Sequence, residues 1–327
     1  CDQYFHYLGK YQPYGFYVPE QDGPHELQLV LHGCEANHAS QINQGNFQTS
    51  FADANNRILA APLGRGPRGF YTGLSERDVL DVRADVEENY PIDSRKILVS
   101  GYSMGGYGAI ITAGGGVTET SVGYTWGGPH GTLGIHQAGS DTHDALPDPR
   151  IKTAVAFGPW GMNRGFWDAE GLAGVQIPML FIAGSQDDTS LYEDGIRAIW
   201  QNTSNVDRAL LTYMNAGHNA GAPMPAPTES YYFSEDKGFN ISEHYTDAVW
   251  DTARMNNIAQ HFVTAWMDSH LKNDAEKGGY LDLVEDSNAG VWSVEDDGTE
   301  KDDHSYWKGF AEGSAKGLMY ETRAAGE

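Results

Sequence analysis

Cysteine is scarce in this sequence of 327 residues, in which Cys1 and Cys34 are the two present. One pair does not make a disulfide framework, so the fold must be held together mainly by a hydrophobic core. A hydrophobic fraction of 40% and an aromatic fraction of 12% are enough for a sizeable core at this length. The chain is long enough for one large domain or two smaller ones.

Basic residues are also few, with 21 Lys and Arg against 45 Asp and Glu, which gives a formal net charge of -24. A field of this sign repels phosphate backbones and anionic lipid. We therefore expect neither nucleic acid nor a membrane surface as a partner. The acidic surface is either an ordinary solvated surface or an adaptation to a salty medium.

Long apolar runs are absent as well. No stretch reaches the roughly 18 apolar residues that a spanning helix needs, so no membrane span is expected. The chain has no initiator Met, charged n-region or apolar h-region, so we expect any targeting segment to have been removed or to be left out of this sequence. A first residue Cys1 fits the lipid-bearing position of a processed bacterial lipoprotein, and an arbitrary chain boundary explains it equally well.

Short apolar segments alternate with helical or loop segments through the first 220 residues. The strands predicted from them are 14–18, 27–33, 57–62, 96–101, 151–158, 178–184 and 208–214. Residues 78–90 repeat apolar side chains at a spacing of three to four, which predicts an amphipathic helix, and 190–203 predicts another. This alternation predicts an α/β fold with a mostly parallel central sheet and helices on both faces.

Two segments interrupt the alternation. Residues 113–150 show no clear periodicity and are predicted to be an insertion. A Pro-rich link follows residue 221, and a long helix is predicted with its apolar stripe running from Val249 to Trp266. We therefore expect a single domain, with a core over about 10–220 and a helical or irregular C-terminal extension over about 221–327 that packs on the core.

The segment "GYSMGG" (101–106) has the pattern of a nucleophile elbow centred on Ser103. Such an elbow needs glycine on either side, because the serine lies in a strained strand-to-helix turn where a Cβ would clash. An apolar strand precedes the segment and small helix-forming residues follow it. The helix N-terminus would aim the N–H of Met104 at a substrate carbonyl oxygen. The pattern alone is weak in a chain with 40 glycines.

A serine hydroxyl becomes a useful nucleophile only when a base takes its proton. On this kind of fold the acid and then the histidine follow the serine, each after a later strand. His218 follows strand 208–214 in a turn of small residues, and Asp187 and Asp188 both follow strand 178–184. We favour Asp187 as the acid, with Asp188 as the alternative. The other aspartate is expected to cap the helix that starts near Ser190.

The second donor to a substrate oxyanion is expected from "LHGC" (31–34), through the N–H of Cys34 and not through its thiol. Trp160 follows a strand at a place where loops overhang the nucleophile, and it either stacks on an aromatic acyl group or only packs. Tyr102, Tyr124 and Trp126 are further candidate substrate contacts.

Taken together, "LHGC", "GYSMGG", "GSQDD" and "AGHN" resemble the motifs of α/β-hydrolases over roughly residues 10–220. The front part is similar to secreted polyhydroxyalkanoate depolymerases and feruloyl esterases, and to prolyl-oligopeptidase-like hydrolases. The part from 148 to 262 looks more like dienelactone-hydrolase-like and platelet-activating-factor-acetylhydrolase-like proteins. Dienelactone hydrolases themselves carry a cysteine at the elbow, so Ser103 favours ordinary ester chemistry over lactone hydrolysis.

The resemblance implies a serine carboxylic-ester hydrolase that acts through an acyl-enzyme on polyester or aromatic esters, with no cofactor and no metal. It also implies a secreted or cell-envelope location. A prolyl-oligopeptidase-like peptidase is the first alternative, although the chain has no propeller domain. An inactive hydrolase fold used for binding is the second. A metal enzyme is a third, but "DTHD" (141–144) and "DDHS" (302–305) lack a recognised ligand spacing.

Overall fold

The computed structural model describes residues 12–34, 36–43, 45–66, 70–125, 131–221, 226, 230–235 and 238–327. Within these residues, eight strands form a central sheet in the order β1-β3-β2-β4-β5-β6-β7-β10, and β8 pairs with β9. The strands are β1 (Tyr14–Tyr17), β2 (His25–Leu31), β3 (Arg57–Pro62), β4 (Ile92–Tyr102), β5 (Ile151–Phe157), β6 (Met179–Gly184), β7 (Arg208–Tyr213), β8 (Phe233–Ser234), β9 (Phe239–Asn240) and β10 (Leu318–Arg323).

The central strands β3, β2, β4, β5, β6 and β7 run parallel to one another, and β1 and β10 pair antiparallel at the two edges. Every residue of β2, β3, β6 and β7 is buried. Strands buried on both faces are typical of parallel sheets covered by helices. The predicted α/β class with a mostly parallel sheet is confirmed.

Helices pack on both faces of this sheet. The helices of the described residues are α1 (Gly45–Phe47), α2 (Leu74–Asn89), α3 (Met104–Thr112), α4 (Asp141–Asp144), α5 (Ala169–Leu172), α6 (Ala198–Asn202), α7 (Thr252–Lys272) and α8 (Ala275–Gly278). Of these, α2 and α3 pack on one face of the sheet and α7 packs on the other. A hydrophobic core lies on each face of the sheet. Because side chains alternate across a strand, Leu29 and Leu31 belong to the core that contains residues of α3, and Val30 belongs to the core that contains residues of α7. Among the described residues, no helix is both long and apolar enough to cross a membrane.

The C-terminal extension differs from its prediction as a helical or irregular segment. Its last strand, β10, pairs antiparallel with β7, so β7 is not the last strand of the sheet. Tyr320 on β10 is buried, and Glu321 forms an ion pair with Arg197. The helix α7 begins after Asp251, whose side chain accepts the Arg254 N–H at 2.8 Å. Val249 therefore lies before the helix and is exposed, outside the predicted apolar stripe.

The segment between α3 and β5 contains a buried histidine, His136, whose side chain is 1% exposed. Its Nδ1 lies 2.8 Å from the Tyr107 hydroxyl. Burial lowers the pKa of His136 from 6.5 to about 3. In the unfolded chain the same imidazole takes up a proton near pH 6.5, so the unfolded state binds more protons between these two values.

We expect the free energy of unfolding to fall as the pH drops below about 6.5, with His136 contributing up to about 1.4 kcal/mol per pH unit. The variant His136→Gln should lose this contribution and give a shallower acid slope. Denaturant unfolding at several pH values between 7 and 4.5 measures both slopes. His244→Gln is the control, since His244 is exposed in the folded protein. Parallel pH curves for His136→Gln and the unaltered protein would contradict the assignment.

Candidate active site

Ser103 lies in a sharp turn between the end of β4 and the start of α3. Its φ of 55° and ψ of -108° are unusual for a residue with a side chain, and the surrounding structure must hold them in place. The Ser103 N–H donates to the Phe157 carbonyl at 2.8 Å. A Cβ added at Gly101 would collide with the Gly105 carbonyl, and one added at Gly105 would collide with the Leu31 carbonyl. The two glycines therefore permit the close approach of strand and helix that this turn requires.

The structure places Asp187, and not Asp188, against His218. Asp187 Oδ2 lies 2.7 Å from His218 Nδ1, and the Asp187 side chain is fully buried. Asp188 is exposed. Asp187 Oδ1 also accepts the N–H groups of Thr189 and Ser190 at 2.9 and 2.8 Å. The expectation that Asp188 caps this turn is therefore wrong, because the Asp187 carboxylate both contacts the imidazole and caps the turn.

The loops after β4, β5, β6 and β7 meet at the carboxyl ends of their strands, which is where ligands bind in open α/β sheets. The Tyr102 ring lies 5.3 Å from the His218 ring, between their centroids. Gly158 follows β5 with a φ of 49°, and a Cβ added there would lie 3.3 Å from His218 Cε1. Ser190 Oγ donates to the Gly158 carbonyl at 2.9 Å. These contacts hold His218 beside Tyr102, the residue that precedes Ser103.

The two predicted oxyanion donors lie on either side of the elbow. Met104 is the first residue of α3, and N–H groups in the first turn of a helix have no partner within the helix. On the other side, a Cβ added at Gly33 would lie 3.5 Å from Ser103 Cβ, so the backbone leading to Cys34 passes over the serine. Cys34 itself lines a cavity beside Tyr102.

His32 supports the backbone before Cys34, a role that the sequence did not indicate. Its Nδ1 lies 2.8 Å from the Gly33 carbonyl oxygen, and its Nε2 lies 2.9 Å from the Leu63 carbonyl oxygen. The Tyr71 hydroxyl donates to the His32 carbonyl at 3.2 Å. Burial lowers the pKa of His32, and the neutral imidazole donates its one N–H to one of these two carbonyls. These contacts fix the loop that carries the predicted Cys34 donor.

A cavity of about 260 Å³ opens beside Tyr102. One side is built by the loops of the sheet, and the other side is built by the C-terminal extension. Its lining residues are Gly33, Cys34, Ala36, Ser40, Gln41, Tyr102, Tyr232, Ile241, His244 and Tyr245. We call the described residues 230–235 and 238–246 the cap segment. The sequence indicated no such wall, because the cap segment lies more than a hundred residues after Tyr102.

Trp160 reaches the elbow with its backbone, since its N–H donates to the Ser103 carbonyl at 3.4 Å. Its ring, 7% exposed, packs against Phe70, Tyr124 and Phe166 with centroids 5.1 to 5.8 Å apart. Trp160 and Tyr124 do not line the cavity beside Tyr102, and neither do Ser103 and His218, which the cavity adjoins through Gly33 and Tyr102. Trp160 therefore belongs to a packed aromatic cluster, and a contact of its ring with substrate stays a prediction. Trp126, the remaining predicted substrate contact, lies outside the described residues.

Within the part of the chain that the structure describes, no group of three or more His, Cys, Asp or Glu side chains is arranged to hold a metal ion. His143 of "DTHD" is buried, with Nε2 3.0 Å from the Gly114 carbonyl oxygen. A scan of the sequence against protein-family models finds no match, and a search of curated proteins finds none either. The chemistry of the site therefore has to be argued from its geometry.

Proposed function

We propose that this protein is a serine carboxylic-ester hydrolase with an α/β-hydrolase fold, and that it acts through an acyl-enzyme. The observation that carries the proposal is the 2.7 Å contact between His218 Nδ1 and the buried Asp187 Oδ2, beside a serine in a strained elbow. A Ser-His-Asp triad is recognised by the contacts and roles of its residues, on whatever fold it occurs, and the contact between Asp187 and His218 is one of the two contacts that such a triad requires.

In the proposed reaction, Ser103 Oγ attacks the ester carbonyl while His218 takes the hydroxyl proton through Nε2. Asp187 occupies Nδ1, so it fixes the tautomer and stabilises the imidazolium that forms. The N–H groups of Met104 and Cys34 bind the tetrahedral oxyanion. His218 then protonates the departing alcohol. Water, deprotonated by His218, attacks the acyl carbonyl carbon. The bond from that carbon to Ser103 Oγ then breaks while His218 returns the proton to Oγ, which releases the acid and restores Ser103.

The cavity supports an aromatic ester or a polyester segment as the substrate. An apolar cavity of about 150 Å³ is enough to hold one benzene ring, and this cavity measures about 260 Å³. Tyr102 and Tyr232 provide aromatic surface, and Ser40 and Gln41 provide polar groups. Tyr232 is 56% exposed, so the cavity opens to solvent where a longer chain would leave it.

The proposal predicts that a fluorophosphonate forms a single adduct on Ser103, because this reagent reacts with serines that a neighbouring base activates. Peptide mapping by mass spectrometry locates the adduct, and urea-unfolded protein is the control that should stay unlabelled. A panel of p-nitrophenyl esters beside a peptide anilide separates esterase from peptidase. An adduct elsewhere, or none, would refute the proposal. Faster cleavage of the anilide than of the esters would favour the peptidase alternative.

A further inference from the structure

We infer that Asn219 is a positioning residue that fastens the cap segment to the elbow, and that it thereby decides how large an ester the cavity admits. The inference rests on the proposed function. Asn219 directly follows His218, and Tyr102 directly precedes Ser103. One side chain therefore joins the turn of the base, the strand of the nucleophile and the wall opposite them.

The Asn219 amide uses both of its polar atoms in this link. Its Oδ1 accepts the Tyr102 hydroxyl at 2.7 Å, and its Nδ2 donates to the Glu243 and Thr246 carbonyls at 2.7 and 2.8 Å. Two carbonyl acceptors on one side require the NH₂ group there, which settles the orientation of the amide. Burial and the charge of Asp187 raise the pKa of Tyr102, so its hydroxyl remains a donor.

On the other side of His218, Gly217 is hydrogen-bonded to Asp247, the residue that follows the cap segment. Asp247 Oδ2 accepts the Gly217 N–H at 2.7 Å, while its Oδ1 accepts the N–H groups of Val249 and Trp250, both at 2.8 Å. The histidine turn is thus held by Asp247 on one side and by Asn219 on the other. Removing the Asn219 link alone should leave His218 anchored through Gly217 and Asp187.

The cap residues that line the cavity lie next to the two carbonyls that Asn219 holds. Ile241, His244 and Tyr245 face the cavity, and Glu243 and Thr246 carry the carbonyls. A loosened cap segment would therefore displace the residues that line the cavity more than it displaces the proposed reacting groups. Bulky esters, which need that wall, should suffer more than acetyl esters, which need little beyond Ser103 and the oxyanion donors.

The test compares Asn219→Asp and Asn219→Ala with the unaltered protein. A carboxylate at 219 would face two carbonyl oxygens with no donor between them, and alanine removes the link without adding charge. We expect KM for a p-nitrophenyl benzoate to rise about tenfold, the effect of losing one or two net hydrogen bonds, while kcat for p-nitrophenyl acetate stays within about threefold. Asn205→Asp is the matched control. Its amide is exposed and donates to the Ala173 carbonyl at 2.6 Å, away from the cavity.

Amide hydrogen exchange of peptides covering 238–246 gives a readout that does not depend on catalysis. We expect faster exchange there in both Asn219 variants, and no change there in Asn205→Asp. Unchanged exchange would overturn the link itself. Faster exchange with an unchanged preference between benzoate and acetate would overturn its role in substrate choice. If the unaltered protein neither hydrolyses esters nor labels at Ser103, the proposed function fails and that role fails with it, while exchange still reports on the link.

Discussion

Replacing Ser103 with alanine is expected to lower kcat/KM for ester hydrolysis by about 10⁴- to 10⁶-fold. The substitution removes the only atom that forms the acyl-enzyme in the proposed mechanism. The histidine, the acid and the oxyanion donors remain, so a residual rate above that of water is expected. Initial rates with p-nitrophenyl acetate, measured on enzyme purified free of host esterases, give the comparison.

Ser100→Ala provides the matched control for this result. Ser100 lies on the same strand, β4, and its Oγ accepts a hydrogen bond from Gln28 at 2.9 Å. Its loss should cost about 1–3 kcal/mol of stability, because the buried Gln28 amide loses its acceptor, and should leave the rate almost unchanged. If Ser103→Ala keeps more than a tenth of the activity while Ser100→Ala keeps all of it, Ser103 is not the nucleophile.

The second large effect concerns the acid. Asp187→Asn should lower kcat by about 10⁴-fold, because the amide that replaces the carboxylate favours the wrong tautomer of His218. Its remaining oxygen can still accept the N–H groups of Thr189 and Ser190, so the turn should stay capped. Asp187→Ala should lose the same activity and, in addition, about 1–2 kcal/mol of stability. Kinetics and thermal unfolding of the two variants separate these roles.

Asp188→Asn is the natural comparison, since Asp188 is adjacent in sequence and exposed, and its Oδ1 accepts the Thr189 hydroxyl at the long distance of 3.3 Å. We expect it to keep its activity within about threefold, as surface substitutions usually change little. A large loss of activity in Asp188→Asn, combined with near-normal activity in Asp187→Asn, would mean that Asp188 is the catalytic acid and Asp187 is not. That result would also mean that the 2.7 Å contact with His218 is not catalytic.

The sequence by itself determined the parallel sheet and the candidates for the reacting groups. Predicted strands 57–62, 151–158 and 178–184 correspond closely to β3, β5 and β6, because short apolar runs between turn residues carry a local signal. Ser103 could be singled out because a strained elbow demands glycine at positions two residues away. Such features depend on backbone sterics and on periodicity, which operate over a few residues.

Only the tertiary structure shows that Asp187, and not Asp188, lies against His218, because both aspartates follow the same strand and the sequence allowed either one to reach the imidazole. It also moved Trp160 into a packed aromatic cluster, and it placed Tyr232 and Tyr245 beside Tyr102. Contacts such as the one between Asn219 and the Glu243 carbonyl join distant parts of the chain, and no local period records them. They form only when the strands have set the loops side by side. Each candidate reacting group can therefore be recognised from its own local motif, whereas the wall of the cavity beside Tyr102 cannot.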